Sequence, residues 1–231
     1  YGDYGKNTNT GYATVLKNLV PLWKKGFRNE GIHPKITIVA INHFGDMYDE
    51  DEDTQVISAA KSAPPEFKDD FGRLGFLKIV KEGNWDLIFI LNDPGVISTG
   101  VKFLVDILRQ KREANQPLFK TIFYFPIDAV YFPEAIKDIE KLDCLVTYNR
   151  YGRDQVIKVK PQLNGQVKII PHGINTKEFF PIPRRLPVTS EDKSTFREKY
   201  FGRNCNKFII CNVNRNQHRK DLPCTITAFA E

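Results

Sequence analysis

The sequence predicts an α/β protein built on a Rossmann-like, doubly wound parallel sheet. Apolar runs of strand length recur along the chain, and helix-like segments of mixed polarity separate them. The most regular run, Ile36–Ile41, contains one polar residue. A strand covered on both faces needs such a run, and strands that alternate with helices build parallel sheets.

The strands of this sheet are predicted from five apolar runs and one weaker run. They are residues 36–41, 85–91, 121–125, 144–147 and 167–170, with 55–58 as the weaker candidate. Between the second and third of these runs, Val101, Leu104, Val105 and Leu108 have the spacing of one helix face. A later run, 207–213, predicts the first strand of a second Rossmann-like unit, followed by a helix that includes 224–230.

A first helix is predicted from about Thr10 to Gly26. Its core-facing residues are expected to be Val15, Leu16, Leu19, Leu22 and Trp23. Pro21 should kink or shorten it, because an interior proline removes one backbone hydrogen bond. A doubly wound sheet needs a strand before this helix, and residues 1–9 look too polar to supply one. With no initial methionine and a last residue inside a predicted helix, the sequence is expected to be part of a longer protein.

Composition excludes several classes of protein. The chain has 231 residues, of which 41% are hydrophobic and 27% charged, unlike disordered or collagen-like chains. No run approaches the ~20 apolar residues of a membrane span, although peripheral membrane contact stays open. The four cysteines are isolated, as expected of reduced thiols, so a cytoplasmic location is predicted.

Positive charge is concentrated in residues 150–220, which contain 16 Lys and Arg against 5 Asp and Glu. Such a segment favours an anionic partner. No nucleic-acid-binding motif accompanies it, so a phosphorylated small molecule is preferred, nucleic acid is not expected, and a merely solvated surface is the alternative. Three prolines at 181, 183 and 187 indicate a linker. The predicted division is therefore a domain over 1–183, a linker over 184–206 and the start of a second domain over 207–231.

Two glycine-containing segments are candidate ligand loops. Residues 9–13 (NTGYA) lead into the first helix, where glycine allows close backbone approach and a helix N-terminus favours anions. Residues 171–181 (PHGINTKEFFP) directly follow a predicted strand, at the edge where open α/β sheets bind ligands.

Residues 171–181 resemble the P-[NH]-G-[VI]-[DN]-x-x-x-F-x-P signature of retaining glycosyltransferases of family 4, the group that includes glycogen synthase and sucrose synthase. Residues 213–230 resemble that family's G-R-x-x-x-x-K-G…AF segment, with Arg215 and Lys220 at the same offset. Asn214 and Asp221 stand where the family has glycine. The resemblance implies the GT-B fold, in which two Rossmann-like domains face each other across a cleft.

The resemblance also implies roles for individual residues. Arg215 and Lys220 would be catalytic cations that stabilise the departing diphosphate of a nucleotide sugar, as preorganised charges do. Five residues would contact the donor: Thr10, Gly11, His172, Gly173 and Asn214. Asp93 and Asp128 would lie on the acceptor side. The usual His before the aspartate is absent, since the local sequence is 125–128 (FPID), and Asp128 could equally be a turn cap.

The implied reaction transfers a sugar from a nucleotide sugar to an unknown sugar, lipid or protein acceptor, with retention and with neither metal nor cofactor. The family's E-x7-E motif is expected beyond residue 231, so this fragment should be inactive alone. The D-x-D-like run 51–53 is interpreted as a solvated loop.

Two alternative functions stay open. One is a non-catalytic module that binds a phosphorylated ligand. The other is a receiver-like domain with Asp128 as phospho-acceptor, although the acidic pair and the lysine that such a domain needs cannot both be placed.

Overall fold

A computed structural model of the chain describes residues 1–63, 69, 71–130, 133–180, 196–204, 207–214 and 218–230. The chain divides into two compact units, Tyr1–Gly173 and Ile174–Glu231. The predicted boundary after residue 183 and much of the predicted linker lie in 181–195, outside the described residues.

Unit 1 alternates strands and helices. In chain order its described elements are α1 (Gly11–Asn29), β1 (Ile36–Ala40), β2 (Tyr48–Asp51), β3 (Thr54–Ser58), α2 (Ala59–Ser62), α3 (Arg73–Glu82), β4 (Leu87–Leu91), α4 (Pro94–Glu113), β5 (Lys120–Phe125), β6 (Cys144–Thr147), α5 (Arg150–Val159) and β7 (Val167–Ile169). All six strands predicted for this unit are present, including the weaker candidate at 55–58. Unit 2 contains α6 (Phe196–Phe201) and α7 (Leu222–Ala230).

The strands of unit 1 form two hydrogen-bonded ladders. One is entirely parallel, in the order β4-β5-β6-β7. The other has the order β1-β3-β2, in which β3 is parallel to β1 and β2 is antiparallel to β3.

Tyr1 and Gly2 join the two ladders. The Tyr1 nitrogen donates to the Phe89 carbonyl at 2.7 Å, and the Tyr1 carbonyl accepts from Leu91 at 2.9 Å, so Tyr1 bonds to β4. On its other side, Gly2 donates to Val39 and accepts from Ile41, so it bonds to β1. The expectation that residues 1–9 supply no strand segment is therefore wrong: two residues suffice to fill the central position.

Helices cover both faces of this sheet, which confirms the doubly wound α/β class. Side chains alternate across the strands. Ile88 and Ile90 of β4 pack into the core on the side of α3, α4 and α5, whereas Phe89 and Leu91 pack on the side of α1. In β5, Phe123 and Tyr124 divide in the same way.

The first helix is longer than predicted. It continues through Pro21 and Gly26 to Asn29, because burial of Val20 and Lys24 on either side of Pro21 holds the helix in place. Gly31 ends it instead, with a φ of 76° and a bond from Ile32 back to the Phe27 carbonyl. Leu22, predicted to face the core, is 61% exposed.

Two further predictions are corrected. Residues 207–213 form no strand in the described part of the chain, and Phe208 is 91% exposed. A strand exists only where a neighbour satisfies its backbone groups. The polar run around 51–53 is not a free loop either. Asp51 ends β2, an edge strand whose charged side chains point away from the core.

Candidate functional site

The strand order of unit 1 reverses at the central position. From Gly2 the chain crosses through α1 to β1 on one side, and β4 lies on the other side and leads into α4. The chain therefore leaves the carboxyl ends of two neighbouring strand segments in opposite directions. It leaves the first, at Gly2, through loop 3–10 and the second, at the end of β4, through Asn92 and Asp93. Open α/β sheets bind ligands in the crevice that forms at such a point.

A hydrogen bond joins the two helices that border this crevice. The Tyr12 hydroxyl, in the first turn of α1, donates to Asp93 Oδ1 at 2.7 Å. Asp93 occupies the N-cap position of α4, yet its carboxylate makes no capping bond to that helix. This hydrogen bond thus connects the first turn of α1 to the N-terminus of α4.

Asp3 organises the loop that precedes α1. This buried carboxylate accepts hydrogen bonds from Thr10 Oγ1 and from Asn42 Nδ2, the latter at 2.9 Å. Thr10 Oγ1 in turn accepts from the Ala13 amide at 3.1 Å and caps α1. Predicted site residue Thr10 is therefore a helix cap held by Asp3. Sequence reasoning missed Asp3, which a search for polar residues at the end of the central strand would have found.

Open space lies beside the first turn of both helices. A methyl group added at Gly11 of α1 or at Gly95 of α4 would meet no atom within 4 Å. The first backbone N–H groups of a helix lack intrahelical acceptors and carry partial positive charge. Gly11, a predicted donor contact, and Gly95, which was not predicted, therefore flank the crevice with anion-favouring groups.

Asn92 holds an unpaired donor beside these helices. It is 4% exposed, its Oδ1 accepts from the Asp93 amide at 2.8 Å, and its Nδ2 has no hydrogen-bond partner among the described residues. Buried amide donors are rarely left unsatisfied, because the lost hydration costs roughly 1–3 kcal/mol. Asn92 Nδ2 is therefore a donor that lacks an acceptor directly after the carboxyl end of β4.

The predicted site residue His172 lies at the other end of this edge. Its ring lies 4.0 Å from the Tyr148 ring and 5.5 Å from the Tyr124 ring, measured between centroids. The Tyr124 hydroxyl donates to the Ile170 carbonyl at 2.7 Å, which fixes the segment leading to His172. Gly173 is exposed and ends unit 1.

Burial changes the titration of this aromatic cluster. It lowers the pKa of His172 and raises the pKa of Tyr124 to about 12. The pKa of Tyr148 is also raised, first by burial and then by the nearby Tyr124 and the Asp93 carboxylate. The Tyr148 hydroxyl is buried and has no hydrogen-bond partner in the part of the chain that the structure describes. The influence of Asp93 on Tyr148 links this cluster to the crevice.

The other predicted residues divide between the two units. Asp128 is exposed after buried Ile127 and makes no hydrogen bond or ion pair within the described residues. In unit 2, Asn214 donates to Asn212 and Lys220 ends a short 3-10 turn. Arg215 lies outside the described residues.

Asp221 has a left-handed backbone conformation at the start of α7. Its φ is 43°, in the left-handed region that glycine adopts at least cost and that aspartate tolerates better than most residues. Its side chain accepts from the Cys224 amide at 3.2 Å and so caps α7.

The acidic run after β2 does not form a metal site. Lys24 pairs with Asp51 at 2.5 Å, and both Lys35 and Arg28 pair with Asp53. Bonds from these cations hold the pKa of both carboxyls below the ordinary range. Across the described residues, no group of three or more His, Cys, Asp or Glu could hold a metal ion.

Comparison of the chain with family models, curated proteins and solved structures finds no match. Among the described helices, none is both long and apolar enough to cross a bilayer.

Proposed function

We propose that this chain is the acceptor-side domain, with the start of the donor-side domain, of a retaining glycosyltransferase that uses a nucleotide sugar. The observation that carries the proposal is the unpaired Nδ2 group of Asn92, between the carboxyl end of β4 and the first turn of α4. It offers a buried donor to a hydroxyl or phosphate oxygen where open α/β sheets bind ligands. The motif resemblance supplies the reaction class.

In the proposed reaction the bond between the sugar C1 and the β-phosphate oxygen breaks, and its electron pair stays on that oxygen. Arg215 and Lys220 neutralise this charge, and an acceptor hydroxyl bonds to C1 on the face that the diphosphate left. The acceptor proton leaves with the diphosphate. Asp93 and Asp128 orient acceptor hydroxyls as hydrogen-bond acceptors. The Tyr12–Asp93 bond supports this role, since it fixes one carboxylate oxygen and leaves the other available.

The test is turnover by the protein expressed from its complete reading frame. Release of nucleoside diphosphate is measured with a panel of uridine, guanosine and adenosine diphosphate sugars, with and without simple sugar acceptors. We expect release with at least one donor. Absence of hydrolysis and of transfer across the panel, from a protein that melts cooperatively, would contradict the proposal.

A non-catalytic module that binds a phosphorylated ligand is the second candidate. The two helix N-termini and Asn92 favour it, because they belong to unit 1 and require no residue of unit 2. Calorimetry on the 231-residue chain with nucleotide sugars separates the candidates. A pure binder holds the ligand as this chain, whereas the glycosyltransferase needs the donor-side domain and this chain then binds the donor weakly.

A further inference from the structure

We propose that a basic groove along α1 binds a ligand that carries two or more phosphate groups. The groove has a volume of about 1060 Å³ and lies between one face of α1, the loop after Asp3 and the β2–β3 hairpin. It shares loop 3–10 with the crevice, but Tyr12, Asn92 and Asp93 do not line it, and the proposal uses none of the residues assigned to the proposed reaction.

One continuous face of α1 forms a wall of the groove. The helix contributes residues spaced by three and four positions, which share one side of an α-helix: Lys17, Val20, Pro21, Lys24, Lys25, Arg28 and Asn29. Buried Val20 and Tyr4 give it an apolar floor. Lys24, only 8% exposed, adds a fixed charge to that floor.

Charge in the groove is unbalanced. Five cations line it against two carboxylates, Glu50 and Asp51. Lys24 is bound to Asp51 at 2.5 Å and to Thr54 Oγ1 at 3.1 Å, while Arg28 pairs with Asp53. These two cations are therefore already neutralised.

Three lysines remain without a carboxylate partner among the described residues. Lys6 Nζ lies 4.6 Å from the centroid of the Tyr48 ring. Lys17 Nζ donates one bond to the Thr8 carbonyl at 2.9 Å, which leaves it two further N–H groups. Lys25 is exposed. With Glu50 also in the lining, these three lysines leave the groove with two uncompensated positive charges, three minus one.

Their spacing fits several phosphates better than one. Lys17 and Lys25 are separated by eight helical residues, or roughly 12 Å along the axis. A single phosphate can contact both only if the two side chains converge on it, whereas a polyphosphate or a bisphosphorylated molecule can contact both with the side chains apart. Ammonium groups bind phosphate as compact point charges, and the apolar surface of Val20 and Pro21 between them can cover the carbon skeleton.

The experiment measures binding of two probes to the 231-residue chain. One probe is soluble inositol hexakisphosphate, and the other is phosphatidylcholine vesicles with and without phosphatidylinositol bisphosphate. The groove variant is Lys6→Glu with Lys25→Glu. Its control, Lys78→Glu with Lys102→Glu, makes the same charge change at two exposed lysines on α3 and α4. Thermal melting checks that both are folded.

We expect the groove variant to weaken binding at least tenfold and the control less than twofold. Selective loss with the soluble probe identifies a free phosphorylated ligand, and selective loss with the phosphatidylinositol bisphosphate vesicles alone identifies a lipid headgroup. The proposal is overturned if neither probe binds the wild-type chain, or if both variants weaken binding equally. If the groove variant fails to fold, the single substitution Lys25→Gln, at an exposed residue, replaces it, and Lys102→Gln is its control. We then expect Lys25→Gln to weaken binding about threefold.

Discussion

The Tyr12 hydroxyl donates a 2.7 Å hydrogen bond to the Asp93 carboxylate and so joins two helix N-termini that are 81 residues apart in the sequence. The Asp93 carboxylate makes no capping bond to α4, although Asp93 stands at the N-cap position of that helix. Asp93 thus connects the N-terminus of α4 to the first turn of α1.

Removal of this hydrogen bond should destabilise unit 1. Tyr12→Phe keeps the ring and loses the hydroxyl, so we expect a loss of about 1–2 kcal/mol in the free energy of unfolding, as for a bond to a charged acceptor. Urea denaturation measures it. Tyr151→Phe is the control, because Tyr151 is exposed and its hydroxyl makes no bond within the described chain. Equal stability of the two variants would contradict a structural role for Tyr12.

Two helical glycines should respond to alanine in opposite directions. A Cβ at Gly75 of α3 would lie 1.9 Å from the Ala59 carbonyl oxygen, so Gly75→Ala must push α3 away from α2. We expect a loss of about 2–3 kcal/mol. A Cβ at Gly100 of α4 would meet no atom within 4 Å, so Gly100→Ala should gain about 0.5–1 kcal/mol. Thermal melting of the pair tests this difference, and a stable Gly75→Ala protein would refute the close packing.

The ion pair between Lys24 and Asp51 should make stability depend on acid pH. The bond from Lys24 holds the pKa of Asp51 below its unfolded value of about 3.9. The stabilisation is therefore present above that value and is lost as pH falls through the folded pKa. As the pH is lowered from about 5 to about 3, the free energy of unfolding should fall less for Asp51→Asn than for the wild-type protein. Solvent screening keeps the difference modest, because Asp51 is partly exposed.

Asp49→Asn is the matched control for this pH dependence. Asp49 lies on the same strand and has no ion pair among the described residues. It should keep the wild-type acid response. If Asp51→Asn and Asp49→Asn lose stability in parallel below pH 4, the Lys24–Asp51 pair does not contribute.

His172 should titrate below its ordinary pKa of about 6.5, because its packing against Tyr148 disfavours the charged ring. The unfolded chain binds this proton more readily than the folded chain does. The free energy of unfolding should therefore fall as the pH drops below about 6.5. An NMR titration of the ring protons measures the pKa. Tyr148→Ala should raise it towards 6.5, whereas Tyr151→Ala should not. A wild-type value at or above 6.5 would show that the ring is solvated.

The buried strands could be predicted from the sequence, because burial on both faces demands apolar runs such as 36–41 and 121–125. Strand β2 was missed, since an exposed edge strand is polar and depends on ion pairs with residues distant in sequence. The run 207–213 was predicted wrongly because composition does not reveal whether a pairing partner exists.

The crevice was only partly predictable. Thr10, Gly11 and Asp93 were found because they follow strands or begin helices. Tyr12 and Asp3 were not, because their roles depend on partners brought close by the fold rather than by local sequence.

The most direct test of the central claim is the effect of Lys220→Ala on the kcat of the protein expressed from its complete reading frame. If Lys220 stabilises charge that develops on the departing diphosphate, kcat for the preferred donor should fall about 100–1,000-fold with little change in KM, as for other preorganised charge-stabilising groups. Lys158→Ala, at an exposed lysine of α5, should keep wild-type turnover. A Lys220→Ala protein with wild-type kcat would contradict the assignment of Lys220.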